Sequence, residues 1–403
     1  MNKFNLSILL VIFTILFFGC SPKDNVNPTN NTSNNTSGNQ IWVLGSDLGD
    51  PLKPYSQSNS RLTNAGIFKM VQFQNELYVG GDFEVIGGEI ISYLAKWDGS
   101  KWSPVGTIDG PVKDLIVFKN KLYIQSRAFQ EVNTSFHNLF SWDGNSLTQE
   151  DIVVNGIPRL IESRSAKNED ERWTIHDNKL FLYVTDKLPE GQSRWDNDLV
   201  WFDGSSWFTD EDFNFYHGVL TSFQGKLYAT ISDIGGYPGS LGFYRFNGDF
   251  DNPQASKGWE NVAGVTLEEP QIRTVIEYGN KLIVGGPFET IDGKQISNIA
   301  SFDGTNWSEF ISWGIDCPNE LKVFSNKLYG SFRYGRASGG SSFYERIAVY
   351  DNSSWKSLEY NLIDFNAVGN GTNFTMESYD GFLYLGGDQE GLGLGNTFVK
   401  LQQ

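Results

Sequence analysis

Apolar and polar residues alternate in short runs along most of the chain, and one pattern of such runs returns seven times. The clearest copy, residues 71–106, reads VQFQNELYVGGDFEVIGGEIISYLAKWDGSKWSPVG. Alternation of β-branched and aromatic residues with polar ones, bounded by Gly, Asn and Asp, predicts β-strands. The leucine of the Leu-Tyr pair recurs at intervals of 45 to 58 residues, at Leu77, Leu122, Leu180, Leu227, Leu282, Leu328 and Leu383. Several short strands per repeat of this length predict β-propeller blades rather than a helical solenoid.

Turn motifs indicate four strands in each repeat. An Asp, usually followed by Gly and by a bulky apolar residue four positions later, predicts the turn between the third and fourth strands. These aspartates are Asp98, Asp143, Asp203, Asp303 and Asp351. Asn352 replaces the Gly in one copy, which is tolerable where φ is positive, and the fourth repeat has Asn247-Gly248 instead. Turns between the first and second strands are predicted at Asn120-Lys121, Asn178-Lys179, Gly225-Lys226, Asn280-Lys281 and Asn326-Lys327.

The last repeat lacks an outer strand. The chain stops at Gln403, just after the third strand of that repeat, TFVKLQ. At the other end, residues 40–45, QIWVLG, match the outer-strand pattern KWSPVG, with Trp42 in the place of Trp102. A loose arm is the alternative, which a Trp-containing, β-prone segment directly before the repeats disfavours. The predicted fold class is therefore all-β, a seven-bladed β-propeller closed by an N-terminal strand that completes the last blade.

The segment before the repeats predicts export. A short basic region with Lys3, an apolar core at residues 6–18 and Gly19-Cys20 predict a signal peptide over residues 1–19. The core is too short for a comfortable membrane span. Residues 20–39, rich in Asn, Thr and Ser, predict a flexible tether, which leaves residues 40–403 for the propeller.

Residues 16–20, LFFGC, resemble the lipobox of bacterial lipoproteins. The resemblance implies cleavage before Cys20 and acylation of its thiol, so that lipid alone attaches the protein to the membrane. Ser21 differs from the inner-membrane retention signal of enterobacterial lipoproteins, and Lys23-Asp24 is similar to surface-export signals of Bacteroidetes lipoproteins. Together these residues predict an outer-membrane lipoprotein on the periplasmic or the cell-surface side.

The repeats themselves resemble those of secreted bacterial propellers of the kelch and galactose-oxidase-like group. The resemblance rests on LYVGGDF, the following Gly-Gly, LAKWDGSKW and PVG, and it is clearest in the first and fifth repeats, where GGDF corresponds to GGPF. The propeller of the fungal cortical-marker family is similar as well. These motifs are architectural, so the resemblance implies a fold and an exported location and identifies no catalytic residues.

Composition restricts the chemistry. The net charge of -17 disfavours nucleic acid as a partner, because phosphates require a basic surface. With Cys20 acylated, Cys317 has no disulfide partner and is predicted to be a buried or semi-buried structural residue. His137, His176 and His217 lie in separate repeats without metal-ligand spacing, so neither a metal nor another cofactor is predicted.

The distribution of loop lengths indicates where a ligand binds. The connections between the second and third strands and between repeats vary in length, at residues 84–92, 127–138, 186–198, 233–241, 289–297, 333–344 and 154–172. Variable loops of a repeat array carry function. Planar and bidentate side chains on these loops form the predicted ligand-binding set: Arg194, Trp195, Tyr237, Arg333, Tyr334 and Arg336. The alternative for each of them is packing of loop against loop.

Two functions remain open from the sequence. The first is a lipid-anchored extracytoplasmic binding or scaffolding protein that recognises a glycan or a protein through these loops. The alternative is a carbohydrate-active hydrolase or lyase that uses carboxylates on the same loops, although no pair of Asp or Glu residues stands out. The expectation is that the protein is not an enzyme.

Overall fold

The computed structural model describes residues 41–43, 66–127, 136–162, 173–186, 198–214, 218–232, 241–248, 258–266, 272–311, 317–334, 344–358, 374–387 and 398–402. The chain separates into two compact units, Met1–Asn39 and Gln40–Gln403, and every described residue belongs to the second. The described part is all-β and contains no helix. In particular, it holds no helix with the length and apolar character needed to cross a membrane.

The strands follow one another along the chain at intervals set by the turn motifs. They are β1 (Ile41–Val43), β2 (Gly66–Phe73), β3 (Glu76–Asp82), β4 (Val85–Ile86), β5 (Glu89–Ile90), β6 (Leu94–Trp97), β7 (Trp102–Pro104), β8 (Val112–Phe118), β9 (Lys121–Arg127), β10 (Phe136–Trp142), β11 (Leu147–Glu150), β12 (Ile152–Val154), β13 (Ile157–Glu162), β14 (Trp173–His176), β15 (Lys179–Asp186), β16 (Asp198–Phe202), β17 (Trp207–Asn214), β18 (Leu220–Phe223), β19 (Lys226–Ser232), β20 (Leu241–Phe246), β21 (Trp259–Thr266), β22 (Thr274–Tyr278), β23 (Lys281–Gly285), β24 (Thr290–Ile291), β25 (Lys294–Gln295), β26 (Ile299–Phe302), β27 (Trp307–Glu309), β28 (Cys317–Phe324), β29 (Lys327–Tyr334), β30 (Tyr344–Tyr350), β31 (Trp355–Ser357), β32 (Phe374–Tyr379), β33 (Phe382–Gly387) and β34 (Phe398–Gln402).

Seven antiparallel blades of four strands account for most of these elements. From the inner to the outer strand they are β2-β3-β6-β7, β8-β9-β10-β11, β14-β15-β16-β17, β18-β19-β20-β21, β22-β23-β26-β27, β28-β29-β30-β31 and β32-β33-β34-β1. The prediction of a seven-bladed β-propeller is confirmed. The predicted closure is confirmed as well, because β1 pairs with β34 in the register Ile41↔Gln402, Trp42↔Leu401 and Val43↔Lys400.

The turns between the first and second strands are two-residue hairpins with positive φ at both central residues. In blade 1 these residues are Gln74 (φ 48°) and Asn75 (φ 63°), and in blade 2 they are Lys119 (φ 46°) and Asn120 (φ 59°). The predicted turn pairs, such as Asn120-Lys121, are therefore wrong by one residue. The lysine is the first residue of the second strand, and the Asn or Gly before it takes the second central position of the turn.

Aromatic side chains fill the space between neighbouring blades. In one such cluster Tyr228 and Phe243 of blade 4 contact Phe302 and Trp307 of blade 5, with ring centroids 5.2 to 6.2 Å apart. Between blades 1 and 2 the Trp142 indole N–H donates a hydrogen bond of 3.0 Å to the Tyr78 hydroxyl. Burial raises the pKa of Tyr78 to about 12. Large rings thus join the blades mainly by apolar burial, the dominant favourable contribution to folding.

Two tryptophans that fit the sequence repeat poorly also belong to this core. Trp173 in β14 is 6 % exposed and Trp201 in β16 is 3 % exposed. The Trp173 indole N–H donates to Gln125 Oε1 of blade 2 at 3.0 Å.

Three hairpins supplement the blades; two lie within segments predicted only as variable loops, and the third begins two residues before such a segment. They are β4–β5 in blade 1, β24–β25 in blade 5 and β12–β13 between blades 2 and 3. Strand β13 pairs with both β10 and β15, and β24 pairs with β21 of blade 4. Two of the hairpins therefore extend hydrogen bonding from one blade to the next.

Candidate binding face

Because the strands of each blade pair antiparallel, the connections between them lie alternately on two faces of the ring. Turns between strands one and two and between strands three and four share one end, here called the turn face. Connections between strands two and three and between successive blades share the other end, the variable face. The three added hairpins lie in connections of the second kind.

The aspartates on the turn face hold their turns together. Asp98 Oδ1 accepts hydrogen bonds from the backbone N–H of Ser100 at 2.8 Å and of Lys101 at 2.9 Å, and from the Ser100 hydroxyl at 2.7 Å. The hydroxyl and then the two N–H groups lower the pKa of Asp98 to about 2. Positive φ falls on the next residue, Gly99 (97°), and in the sixth blade on Asn352 (70°), which confirms that Asn replaces Gly there.

The other four aspartates repeat this arrangement. At Asp143, Asp203 and Asp303 the backbone N–H three residues later is the main cause of a lowered pKa, and at Asp351 the Lys356 ammonium is the main cause. All five carboxylates are therefore ionised at neutral pH, and each has one oxygen engaged in its own turn. Such groups serve a structural role.

Hydrogen bonds also join the turn face from one blade to the next. Gln74 of blade 1 donates from Nε2 to the Asp143 carbonyl at 3.1 Å, and Gln224 of blade 4 donates likewise to the Asp303 carbonyl at 3.2 Å. Lys119 donates to the Asp203 carbonyl. The Tyr379 hydroxyl of blade 7 donates to the Asn75 carbonyl of blade 1 at 3.0 Å. Side chains of the turn face thus connect neighbouring blades by hydrogen bonds.

Inner strands carry a repeated irregularity near the variable face. Strands β2, β8 and β28 each contain a bulge, at Phe68, Lys113 and Asn319. Each bulged residue, like Arg273 of blade 5, lies six positions before the first residue of the following turn. Bulges redirect side chains and are common beside functional sites.

Side chains at these positions interact across the blades. Lys113 Nζ lies 4.1 Å from the centroid of the Phe68 ring, and Arg273 Nη1 donates to Asn319 Oδ1 at 2.6 Å. Sequence analysis did not identify this set. These residues could have been found by their constant distance of six positions from the turn. Their side chains, however, are chemically different from one another.

Three inner-strand carboxylates, those of Asp114, Glu320 and Glu377, have basic or N–H partners on a neighbouring blade. Lys69 Nζ lies 3.9 Å from Asp114 Oδ1, and Lys322 Nζ lies 2.7 Å from Glu377 Oε2. Glu320 Oε1 accepts a hydrogen bond from the Met376 backbone N–H at 2.9 Å. These pairings tie blade 1 to blade 2 and blade 6 to blade 7. They do not mark out the facing acid and base that a glycosidase requires.

The predicted ligand-binding residues are only partly covered by the structure. Arg333 and Tyr334 are the last two residues of β29, at the variable-face end of blade 6, where Arg333 pairs with Cys317 and Glu345, and Tyr334 with Tyr344. Arg194, Trp195, Tyr237 and Arg336 lie outside the described residues, as does Cys20. The set as a whole therefore stays a prediction.

His176 and Cys317 each contact a side chain of a neighbouring blade. His176 Nδ1 lies 2.9 Å from the Ser222 hydroxyl of blade 4, and burial lowers its pKa. Cys317 is of intermediate burial, as predicted, and its Sγ accepts a hydrogen bond from Arg273 Nη1 at 3.7 Å. Within the described segments, no group of three or more His, Cys, Asp or Glu side chains is placed to hold a metal ion.

Comparisons with known proteins find distant structural similarity only. No protein-family model and no curated protein matches the chain. The β-propeller domain of the Trilobed protease from Pyrococcus furiosus, described as having an open velcro topology, is similar with a TM-score of 0.45 and 9% identity over 83% of this chain and 97% of that one.

Two larger peptidases are similar as well. A prolyl endopeptidase matches with a TM-score of 0.43 and 11% identity over 82% of this chain and 48% of that one, and the tricorn protease with 0.39 and 13% over 84% and 31%. The chain thus spans about half the length of the first of these and a smaller share of the second. The protein is a seven-bladed β-propeller, a scaffold that supports many unrelated functions.

Proposed function

We propose that the protein is a lipid-anchored, extracytoplasmic binding or scaffolding protein that recognises a glycan or a protein through its variable face. The observation that carries the proposal is the contrast between the two faces. The turn face uses its aspartates and its turn residues to hold itself together. The variable face carries the added hairpins and the inner-strand bulges.

Attachment to the outer membrane through an acylated Cys20 is part of the proposal. Support comes from the lipobox-like segment LFFGC and the polar tether behind it. Two acyl chains or more give stable anchoring without a spanning helix.

The anchor gives the first prediction. Cys20→Ser removes the thiol that would be acylated, so we expect incorporation of labelled fatty acid to disappear and the protein to leave the membrane fraction. The melting temperature should stay at the wild-type value, because the substitution lies outside the unit that holds the blades. Cys317→Ser is the matched control and should keep the label. Unchanged membrane association of Cys20→Ser would contradict the anchor.

The variable face gives the second prediction. Replacing Trp195, Tyr237, Arg333 and Tyr334 by Ala should weaken ligand binding, with a hot-spot residue contributing roughly 1–3 kcal/mol. Binding would be measured on a glycan array and in a pull-down with candidate proteins, and folding by thermal melting. Charge reversal at Lys101 or Lys121, beside turns of the opposite face, is the control and should leave binding unchanged. If only these control variants lost binding, the ligand-binding site would lie on the turn face instead.

A further inference from the structure

A histidine takes the place of an aromatic residue at one interface between blades. The last residue of the inner strand is His176 in blade 3 and Phe or Tyr in the other six blades. Those six are Phe73, Phe118, Phe223, Tyr278, Phe324 and Tyr379. The His176 ring packs beside Phe181 of the second strand with centroids 6.1 Å apart, just as Phe73 packs beside Tyr78 in blade 1 at 5.7 Å. An aromatic packing position is thus held by a side chain that can take up a proton near neutral pH.

The same histidine makes a polar contact between blades 3 and 4. In blades 1, 2 and 4 the first residue of the inner turn donates a hydrogen bond to the next blade, as Gln74 does to the Asp143 carbonyl. Blade 3 has Asp177 at that position, and a carboxylate cannot donate to a carbonyl. His176 Nδ1 lies 2.9 Å from the Ser222 hydroxyl of β18 and connects the two blades. The contact at this interface therefore includes a group that titrates.

The surroundings of His176 oppose its protonation. The ring is half-buried, and burial is the main cause of its lowered pKa. Asp177 of its own turn raises the pKa, whereas Lys179 of β15 and Lys226 of β19 lower it. The folded protein thus binds this proton less readily than the unfolded chain does. The resulting stability is fully present above the ordinary pKa of about 6.5 and is lost as the pH falls below it.

We propose that the interface between blades 3 and 4 is acid-sensitive and loosens when His176 takes up a proton. On one side of it, β13 pairs with strands of blades 2 and 3, and on the other side β24 of blade 5 pairs with β21 of blade 4. The interface thus lies between two pairs of blades, each joined by backbone hydrogen bonds. Acid would loosen the contact between these pairs while each pair stays intact.

The first experiment compares urea unfolding of the full-length protein at about pH 8 and about pH 5, on either side of the ordinary histidine pKa. His176→Phe restores the aromatic residue of the other blades, so folding should be retained. Ser222→Ala is the matched control, because it removes the hydrogen bond and keeps the imidazole. We expect the wild type and Ser222→Ala to lose more stability in acid than His176→Phe does.

The second experiment needs no variant at position 176. The histidine NMR signals of the wild type would be titrated, with that of His176 assigned by its change in Ser222→Ala, and its pKa should lie below about 6.5. Amide hydrogen exchange, corrected for the intrinsic effect of pH, should increase in acid in β14 and β18. It should not increase in β2 and β32, which meet at the interface where Tyr379 takes the position of His176.

Equal acid loss in the wild type and His176→Phe would overturn the inference, and so would a His176 pKa at or above its ordinary value. An acid loss that Ser222→Ala abolishes would overturn it as well, because the imidazole is still present in that variant. Exchange that increases equally at both interfaces would show general acid unfolding in place of a local effect.

Discussion

Deleting residues 40–45, which contain β1, is expected to lower the free energy of unfolding by about 3–5 kcal/mol, the range for loss of a core aromatic side chain. The deletion removes the pairing of β1 with β34 and leaves the backbone of β34 as an open edge. At the equivalent outer-strand positions Trp102 is 7 % exposed and Trp307 is 2 % exposed, so these indoles belong to the core. Thermal and urea unfolding followed by tryptophan fluorescence would measure the loss.

A matched deletion of residues 30–35 shortens the N-terminal segment by the same length and keeps β1. We expect its unfolding midpoint to equal that of the wild type. Aggregation of the β1 deletion at concentrations where the control stays monomeric would be a second sign of the open edge. A β1 deletion that melts with the wild type would show that the strand contributes nothing to closure.

The second large effect is expected from Gly81→Ala, at about 3 kcal/mol of destabilisation. A Cβ at position 81 would lie 2.0 Å from the Gly66 carbonyl oxygen of the adjacent strand, a contact that only movement of the backbone relieves. Forced movement in a packed region typically costs about 1–3 kcal/mol, and backbone contacts lie at the upper end. Residues 66 and 67 pair with 82 and 81 just before the bulge at Phe68, so the shift would disturb that bulge.

Gly264→Ala is the control for this prediction. Gly264 also lies in a strand, β21, and a Cβ there would have no heavy atom within 4 Å. We expect a change within about 0.5 kcal/mol. Chemical denaturation of both variants gives the comparison, and equal stabilities would show that the close approach of strands β2 and β3 relaxes at little cost.

The sequence predicts the blades well because the four strands of each blade are close together in the sequence. Leu77 and its six counterparts, and the Asp turns, are signals within a stretch of four strands, and short-range turn chemistry decides them. Closure was predictable for a related reason, since Trp42 repeats a motif that the last repeat lacks. The displaced turn at Lys119-Asn120 shows the limit of this method, because the choice between two adjacent registers depends on backbone φ.

The hairpins and the exposed residues were not predictable in the same way. Strands β4 and β5 have two residues each, too few to show alternation. Strand β13 pairs with β12 and also with strands of blades 2 and 3, which are remote from it in sequence. Exposure is also a property of the assembled ring. Nothing in the sequence separates the 87 % exposed Ile90 from the buried Ile86 four residues earlier.

Completion of blade 7 by β1 makes ring closure a contact between strands that lie far apart in the sequence. Strand β1 begins at Ile41, and its partner β34 ends at Gln402. Joining strands at this separation costs more loop-closure entropy than forming the local hairpins of the other blades, so we expect closure to be slower than the formation of any single blade. Loss of either strand leaves blade 7 with three strands and an unpaired edge.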